Sequence, residues 1–307
     1  MRVALTGGNG FLGRYVLEAL RGRGIDTVLL GRTRPPESSF AAFIQVDLLA
    51  RPDFPRLVQE ASATHLLHLA WYTEHGAFWT SPLNLRWVEA TTQLVEAFCA
   101  AGGKGVVAAG TCAEYDWSQG LCREDSTLLN PSSLYGTAKD ATRRLAAAIC
   151  RQHQVPCAWG RVFLPYGTGE DARRLIPSLI GAFQARRPPF PVNVQALRDF
   201  LHASDVAEGF LTLLGADADG AYNISCGNPV SLAQVLREVA RLLGADPELM
   251  LSLAAERPGD PPLLVGENLK LRMLGWQPRL SLAKGLERTV SEAREASLCR
   301  LSSLGIG

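Results

Sequence analysis

The stretch TGGNGFLG at residues 6–13 stands between the apolar run RVALT at residues 2–6 and a helical pattern that follows it. Its glycines recur every three residues, at Gly7, Gly10 and Gly13. The first permits a tight turn, the second lets backbone N–H groups approach a pyrophosphate, and the third allows a helix to pack closely on a strand. An anion at this helix N-terminus would meet unpaired N–H groups and the helix dipole. The pattern predicts a bound dinucleotide, and the alternative is a glycine-rich turn without a ligand.

Five further strand-like runs follow the glycine turn, with helical stretches between them. The runs are short, mostly apolar on both faces and never joined by two-residue hairpins, which is typical of a buried parallel sheet. The alternation predicts an α/β fold, a doubly wound parallel (Rossmann) sheet. The runs lie at residues 27–30, 43–46, 65–70, 105–109 and 157–162, and the helical patterns at 11–23, 83–101, 134–153 and 204–214.

The regular alternation breaks down beyond residue 164. Prolines and glycines there mark loops around a further helical pattern at residues 231–243. We therefore expect a smaller C-terminal lobe beside the sheet. The predicted domains are residues 1–164, to which the chain returns at about 198–224, and the lobe formed by residues 165–197 and 225–307.

Composition excludes several classes of partner. The 307 residues are 47% apolar and 20% charged, and a net charge of +1 offers no electrostatic footprint for nucleic acid or an anionic membrane. The apolar start is too short for a signal peptide or a membrane span. The seven cysteines are scattered, without a CxxC pair or zinc-ligand spacing, so we expect free thiols and no metal site. The predicted location is the cytoplasm.

The segment after the second strand bears on the choice of dinucleotide. An acidic residue at this place binds the adenosine ribose of NAD, whereas an arginine suits the 2′-phosphate of NADP. Here the strand is followed by Arg32 and Arg34 without a carboxylate, in a stretch (31–42) that contains two prolines and is expected to be a loop. We predict NADP(H) with both arginines on the phosphate, while NAD(H) stays possible. The alternative is that both are solvated loop charges.

A Y-x-x-x-K pattern lies on the third helical stretch. Tyr135 and Lys139, four residues apart, share one helix face. A tyrosine has a pKa near 10, and a nearby ammonium lowers it by stabilising the phenolate. Lys139 would tune Tyr135, which would act as acid or base; the alternative is a core edge beside a solvated face. Thr111 offers a hydroxyl just after the fifth strand, where open α/β sheets bind ligands.

With the glycine turn, Thr111, Tyr135 and Lys139 in this order, the chain resembles the extended short-chain dehydrogenases/reductases, the NAD(P)-dependent nucleotide-sugar epimerase/dehydratase/reductase family. The resemblance runs nearly end to end. It implies a nicotinamide cofactor that exchanges hydride with a sugar carbon, while the tyrosine exchanges the hydroxyl proton and Thr111 bonds the same oxygen. The motifs include IQVDLL, HLAW, LRDFLHASDVAEGF, YNISCGNPVSL, ERPGD and LGWQPRLSLAKGLERTV.

The resemblance also implies where each ligand binds. The second lobe would hold a nucleoside diphosphate sugar, with arginines on its phosphates, and the two long helices around 84–101 and 134–153 would form a homodimer. Beyond the arginines already named, the cofactor contacts would be Gly7, Gly10, Phe11, Leu12, Gly13, Asp47 (at the adenine), Leu48, Leu69, Ala70, Tyr135 and Lys139. The substrate contacts would be Trp71, Thr111, Leu164, Arg198 and Arg257.

Two departures from the family and one further feature bear on the type of reaction. Cys112 and Ala113 stand where 4,6-dehydratases place acidic residues, which disfavours a dehydratase, and Glu114 is interpreted as a surface or hydrogen-bonded structural carboxylate. Leu164 replaces an asparagine that the family often uses on the substrate. The aromatic loop WYTEHGAFW at residues 71–79 either packs on the apolar face of a deoxysugar or anchors a loop.

The predicted activity is NADPH-dependent reduction of an NDP-4-keto-6-deoxyhexose to an NDP-deoxysugar. The arginine-bearing loop favours a reductase, because a reductase exchanges NADPH from solution. The first alternative is an NAD-dependent nucleotide-sugar 4-epimerase that retains its cofactor. The second, from another class, is a non-catalytic NADP(H)-binding regulator or scaffold.

Overall fold

Strands and helices alternate along most of the chain in the computed structural model, which describes residues 1–35, 42–256 and 258–303, with side chains as far as residue 295. The strands are β1 (Arg2–Thr6), β2 (Asp26–Gly31), β3 (Ala42–Gln45), β4 (His65–His68), β5 (Gly105–Thr111), β6 (Leu121–Cys122), β7 (Cys157–Val162), β8 (Leu164–Tyr166), β9 (Leu197–Arg198), β10 (Phe200–His202), β11 (Gly220–Ile224), β12 (Val230–Ser231) and β13 (Leu263–Gly266). The helices are α1 (Phe11–Gly22), α2 (Phe54–Ala61), α3 (Leu83–Ala100), α4 (Leu134–Gln152), α5 (Leu175–Phe183), α6 (Ala203–Gly215), α7 (Leu232–Leu243), α8 (Glu248–Leu251), α9 (Leu269–Arg272) and α10 (Leu282–Ser303).

The main sheet has seven strands within the described residues, in the order β11-β7-β5-β4-β1-β2-β3, and neighbouring strands are parallel. The chain winds outward from β1 in one direction through β2 and β3, then returns to β4 and continues in the other direction. This reversal between β1 and β4 is the switch point at which doubly wound sheets bind ligands. The predicted α/β class is confirmed.

Both faces of the sheet are buried, which explains the continuous apolar strands. In β1, Val3 and Leu5 join a cluster that includes Val16 of α1 and Phe210 of α6. Ala4, which points to the opposite face, belongs to a second cluster with side chains of α2, α3 and α4. Because successive side chains of a strand point to opposite faces of the sheet, each strand packs against helices on both faces.

A third apolar cluster lies apart from these layers. It joins Leu179 of α5, Val235 of α7 and Leu286 of α10. Two small sheets, β12-β9-β13-β6 and β10-β8, lie outside the main sheet. The division of the chain into a cofactor domain and a sugar-binding lobe stays a prediction.

The helices and strands expected from periodicity agree with the structure to within about two residues at most ends. The sequence patterns did not predict α2, whose side-chain cap is Asp53: its Oδ1 accepts from the Arg56 N–H at 3.0 Å. Pro55 fits the first turn of this helix, where its missing N–H costs nothing. Of the predicted loop at 31–42, residues 36–41 lie outside the described residues.

In the part of the chain described, no helix is both long and apolar enough to cross a membrane.

Candidate active site

The glycine turn fits the pyrophosphate of a dinucleotide. Gly7 has φ +75°, and a Cβ there would lie 2.7 Å from the backbone N of Ala70. At Gly13 a Cβ would lie 2.0 Å from the carbonyl oxygen of Gly7, so only glycine lets α1 approach the turn. Gly10 is the N-cap of α1 and provides no side-chain cap, and the first helical turn contains no acidic residue. Its N–H groups therefore suit an anion.

The segment after β2 lies beside the glycine turn. The Asn9 side-chain amide donates a hydrogen bond to the Thr33 carbonyl and joins the two. The side chains of Arg32 and Arg34 are exposed, and the Arg34 guanidinium lies 5.6 Å from the ring centre of Phe43. Both arginines are thus accessible to a phosphate near the turn, and their role on it stays a prediction.

Two residues after β3, Asp47 is exposed and caps a short 3-10 helix, since its Oδ1 accepts from the Leu49 N–H at 3.0 Å. Leu48 beside it is buried. The expected adenine contact at this position stays a prediction.

Thr111, Tyr135 and Lys139 meet at the carboxyl end of β5. The Thr111 side chain lies near the Tyr135 phenol and acts to lower its pKa, against the larger effect of burial. One helical turn further along α4, the Lys139 ammonium donates to the Ala109 carbonyl at 2.8 Å. Ser133 begins α4 by capping the Gly136 N–H at 3.1 Å. The three predicted catalytic side chains therefore share one buried corner of the protein.

Burial shifts both titratable groups of this corner. Burial raises the pKa of Tyr135, and the neighbouring Thr111 side chain opposes that rise only in part. Burial lowers the pKa of Lys139 to about 7, because the ammonium has little access to water. Burial thus outweighs neighbouring charge at Tyr135, and the tuning of the tyrosine by Lys139 stays a prediction.

Glu114 is not a surface carboxylate, as the first of its two interpretations had it, but is wholly buried behind the corner. One oxygen accepts from the Thr111 N–H at 2.9 Å and from the indole of Trp159 at 2.8 Å. The other accepts from Nε of Arg161 at 2.7 Å, and Arg161 also donates to the Tyr115 hydroxyl at 2.9 Å. The carboxylate thus joins the end of β5 to β7, and a hydrogen-bonded structural role describes it.

The aromatic loop packs on the catalytic corner. Phe78 and Trp79 meet the Tyr135 ring edge-on, with centroids 4.8 Å and 5.8 Å away. Asn84 anchors the loop, since its amide donates to the carbonyls of Phe78 at 2.8 Å and Ser81 at 2.9 Å. The anchoring interpretation of this loop is therefore supported by its contacts.

Trp71, predicted to bind substrate, lies against the lysine. Its ring centre is 3.9 Å from Nζ of Lys139, and its indole N–H donates to Oδ1 of Asn84 at 2.9 Å. The ring stacks on Trp87 with centroids 6.0 Å apart. These contacts occupy both the face and the edge of the indole.

Two further predicted substrate residues, Leu164 and Arg198, lie on the short strands β8 and β9. Leu164 is half-buried in β8, beside Phe200 of β10. Arg198 is buried and donates to Oδ1 of Asp260 at 2.6 Å, so the carboxylate of the RPGD segment takes the place that a phosphate would need. Arg257 lies outside the described residues. A diphosphate at Arg198 would therefore have to compete with Asp260.

Sequence reasoning did not single out two charged residues near this corner. Glu170 is half-buried, burial raises its pKa to about 8, and within the described chain its Oε2 has no hydrogen-bond partner. The Arg174 guanidinium lies 5.6 Å from the ring centre of Phe78. The surrounding GTGEDARR resembles an ordinary charged loop, and only the burial of Glu170 distinguishes it.

The parallel sheet, the glycine turn and the Thr111, Tyr135 and Lys139 corner define a protein of the short-chain dehydrogenase/reductase class. Residues 3–225 match the model of the family described as the NAD dependent epimerase/dehydratase family. The chain belongs to this family, and the resemblance found in its sequence is confirmed.

Three similar proteins show the range of activities in this family. The chain is 27% identical to UDP-glucose 4-epimerase of Azospirillum brasilense, over 95% of this chain and 94% of that one. It is 28% identical to MoeE5, solved in complex with UDP-glucuronic acid and NAD, with a TM-score of 0.83 over 96% of this chain and 100% of MoeE5. A trifunctional UDP-glucose 4,6-dehydratase/UDP-4-keto-6-deoxy-D-glucose 3,5-epimerase/UDP-4-keto-L-rhamnose-reductase of Arabidopsis thaliana is 27% identical over 58% of this chain, which covers only 27% of that protein's length.

Proposed function

We propose that this protein is an NADPH-dependent reductase of an NDP-4-keto-6-deoxyhexose. The observation that supports it most is the buried corner at the end of β5, where the Thr111 side chain lies near enough to the Tyr135 phenol to act on its pKa. Two accessible arginines beside the glycine turn favour NADPH over NADH. Cys112 and Ala113 provide no carboxylate for a dehydratase step.

A bound nicotinamide would supply the hydride. Tyr135 donates its phenolic proton to the oxygen of the reduced carbonyl, and Thr111 holds that oxygen by a hydrogen bond. The raised pKa of Tyr135 keeps the phenol protonated at neutral pH, as an acid requires. Lys139, when protonated, stabilises the phenolate that remains. Arg198 would bind the substrate diphosphate after its release from Asp260, together with Arg257.

An NAD-dependent nucleotide-sugar 4-epimerase is the second candidate, because two of the similar proteins named above are an epimerase and a complex that contains NAD. In that reaction the same tyrosine removes the proton and later returns it, with no net use of cofactor.

The two candidates separate in one assay. The purified protein is incubated with NADPH or NADH and a panel of 4-keto and 4-hydroxy nucleotide sugars, with absorbance at 340 nm and product mass as readouts. Net NADPH consumption with a 4-keto sugar supports the reductase. Sugar interconversion with retained cofactor supports the epimerase, and cofactor binding with neither reaction supports a non-catalytic regulator or scaffold.

We further propose that the protein is a homodimer that pairs through α3 and α4. Leu85 on α3 and Leu145 on α4 are large apolar side chains that are 59% and 46% exposed. Light scattering after size-exclusion chromatography tests this, because Leu85→Glu with Leu145→Glu should yield the monomer mass while the unaltered chain yields twice that mass. A location in the cytoplasm stays a prediction.

A further inference from the structure

Lys139 has an unusual set of neighbours for a buried ammonium. Its side chain is 3% exposed, and its hydrogen-bond acceptor is the Ala109 carbonyl. Burial lowers the pKa of Lys139, and Glu114 is the charged group that opposes this, but its carboxylate is already paired with Arg161 at 2.7 Å. Two indole rings also face the ammonium: the centre of the Trp71 ring is 3.9 Å from Nζ and that of the Trp159 ring is 5.8 Å away. Burying a cation costs free energy unless neighbouring groups stabilise its charge, and here an aromatic face is such a group.

The indole of Trp71 is held in this position by two neighbours. Its N–H bonds Asn84, which is wholly buried, and its ring stacks on Trp87 at an interplanar angle of 26°. The amide of Asn84 in turn donates to the carbonyls of Phe78 in the aromatic loop and of Ser81 just beyond it. The contact with Lys139 is therefore built into the loop and does not depend on a freely rotating surface ring.

We propose that Trp71 is a positioning residue for Lys139, whose indole face holds the ammonium against the Ala109 carbonyl in place of a carboxylate partner. In this role Trp71 acts on the lysine and not on a bound sugar. The consequence for turnover rests on the proposed function, but the contact itself does not. The other titratable groups that act on Lys139 or share its corner are Glu114, Tyr135 and His68 of β4, and burial keeps His68 neutral.

Trp71 has two opposite effects on the protonation of Lys139. Its bulk excludes water, which disfavours the ammonium, while its π face favours the ammonium. Replacement by leucine keeps the site dry but removes the face, so the pKa of Lys139 falls. Replacement by alanine admits water, so the pKa rises towards that of a free lysine.

The test measures Lys139 directly, without substrate or cofactor. The chain has four lysines, Lys104, Lys139, Lys270 and Lys284. An NMR spectrum of protein labelled with ¹³C at lysine Cε therefore contains few signals, which can be followed individually. Lys139→Arg assigns the signal. We expect the Lys139 signal to titrate near pH 7, to move down by about half a unit in Trp71→Leu, and to move up by about one unit or more in Trp71→Ala.

Trp276→Phe is the matched control, because Trp276 is also buried and its indole N–H donates to the Asp205 carbonyl at 3.1 Å, in another part of the core. Its Lys139 signal should titrate as in the unaltered protein. A midpoint in Trp71→Leu and Trp71→Ala within about 0.2 units of the unaltered protein would overturn the proposal. If Trp71→Ala does not fold, by near-ultraviolet circular dichroism, Trp71→Leu alone decides.

A second readout connects the contact to catalysis. If the protein is a reductase, the alkaline limb of the kcat/KM profile should follow the Lys139 titration, moving up in Trp71→Ala and down in Trp71→Leu. Shifted titrations without turnover on any sugar would leave the Trp71 contact established and reject the proposed function. Turnover with an unshifted Lys139 titration would support the proposed function and reject the role of Trp71.

Discussion

The glycine turn and the catalytic corner are built in different ways. In the turn, the backbone forms the candidate binding surface, and Gly13 is required because any side chain would strike the Gly7 carbonyl. In the corner, side chains form the surface: Thr111 is held by Glu114 of the same short segment, and Lys139 is contacted by Trp71 from a distant one. A local steric requirement leaves a short motif in the sequence, whereas a side-chain network leaves residues scattered along the chain.

The largest expected effect lies behind the catalytic corner. Glu114→Ala leaves the buried guanidinium of Arg161 without its partner, and we expect the free energy of unfolding in urea to fall by about 3–5 kcal/mol. Glu267→Ala is the control, because the pair of Glu267 with Arg123 is at the surface and should contribute little. An equal loss of unfolding free energy in both variants would show that the buried pair of Glu114 contributes no more than the surface pair of Glu267.

Tyr135→Phe tests the chemistry of the same corner. Because the phenol is the proposed proton donor, turnover should fall by at least about a hundredfold while the cofactor still binds. Tyr72→Phe removes an exposed hydroxyl that bonds Glu74, and its turnover should not change. The measurement is kcat with the sugar found active at 340 nm. Turnover near that of the unaltered protein would remove Tyr135 from the mechanism.

Gly13→Ala tests the steric requirement of the turn. Its Cβ would lie 2.0 Å from the Gly7 carbonyl, so we expect a loss of about 1–3 kcal/mol in unfolding free energy together with weaker cofactor binding. Gly22→Ala, in the same helix, meets no atom within 4 Å and should be neutral or stabilising by up to about 1 kcal/mol. The steric requirement at Gly13 is rejected if Gly13→Ala and Gly22→Ala have the same thermal stability and the same affinity for NADPH.

The smallest expected effect is on cofactor preference. Arg32→Ala should reduce the ratio of NADPH to NADH affinity by about tenfold, which corresponds to about 1.4 kcal/mol for one phosphate contact. Arg21→Ala, an exposed change on α1, should leave the ratio unaltered. A lower KM for NADH than for NADPH, with no change in Arg32→Ala, would reject the preference for NADP(H).

Much of the fold could be predicted because it depends on local patterns. The strand β7 at residues 157–162 and the long helices α3 and α4 follow from apolar periodicity. The helix α2 could not be predicted from the same signals, since Pro52 before it and Pro55 within it are also typical of loops. The candidate site has the same two parts: Tyr135 and Lys139 could be paired from their spacing, but groups around Lys139 such as Ala109 and Trp71 come from earlier segments of the chain.

The sequence by itself determined the sheet, the glycine turn and the order of Thr111, Tyr135 and Lys139, because periodicity and short spacings are local properties of the chain. Only the tertiary structure decided that Glu114 is buried on Arg161 and that Trp71 lies on Lys139. Burial and charge depend on which distant segments meet. For the same reason only the structure shows that burial raises the pKa of Tyr135, since aromatic rings that the folded loop places at the corner exclude water from it.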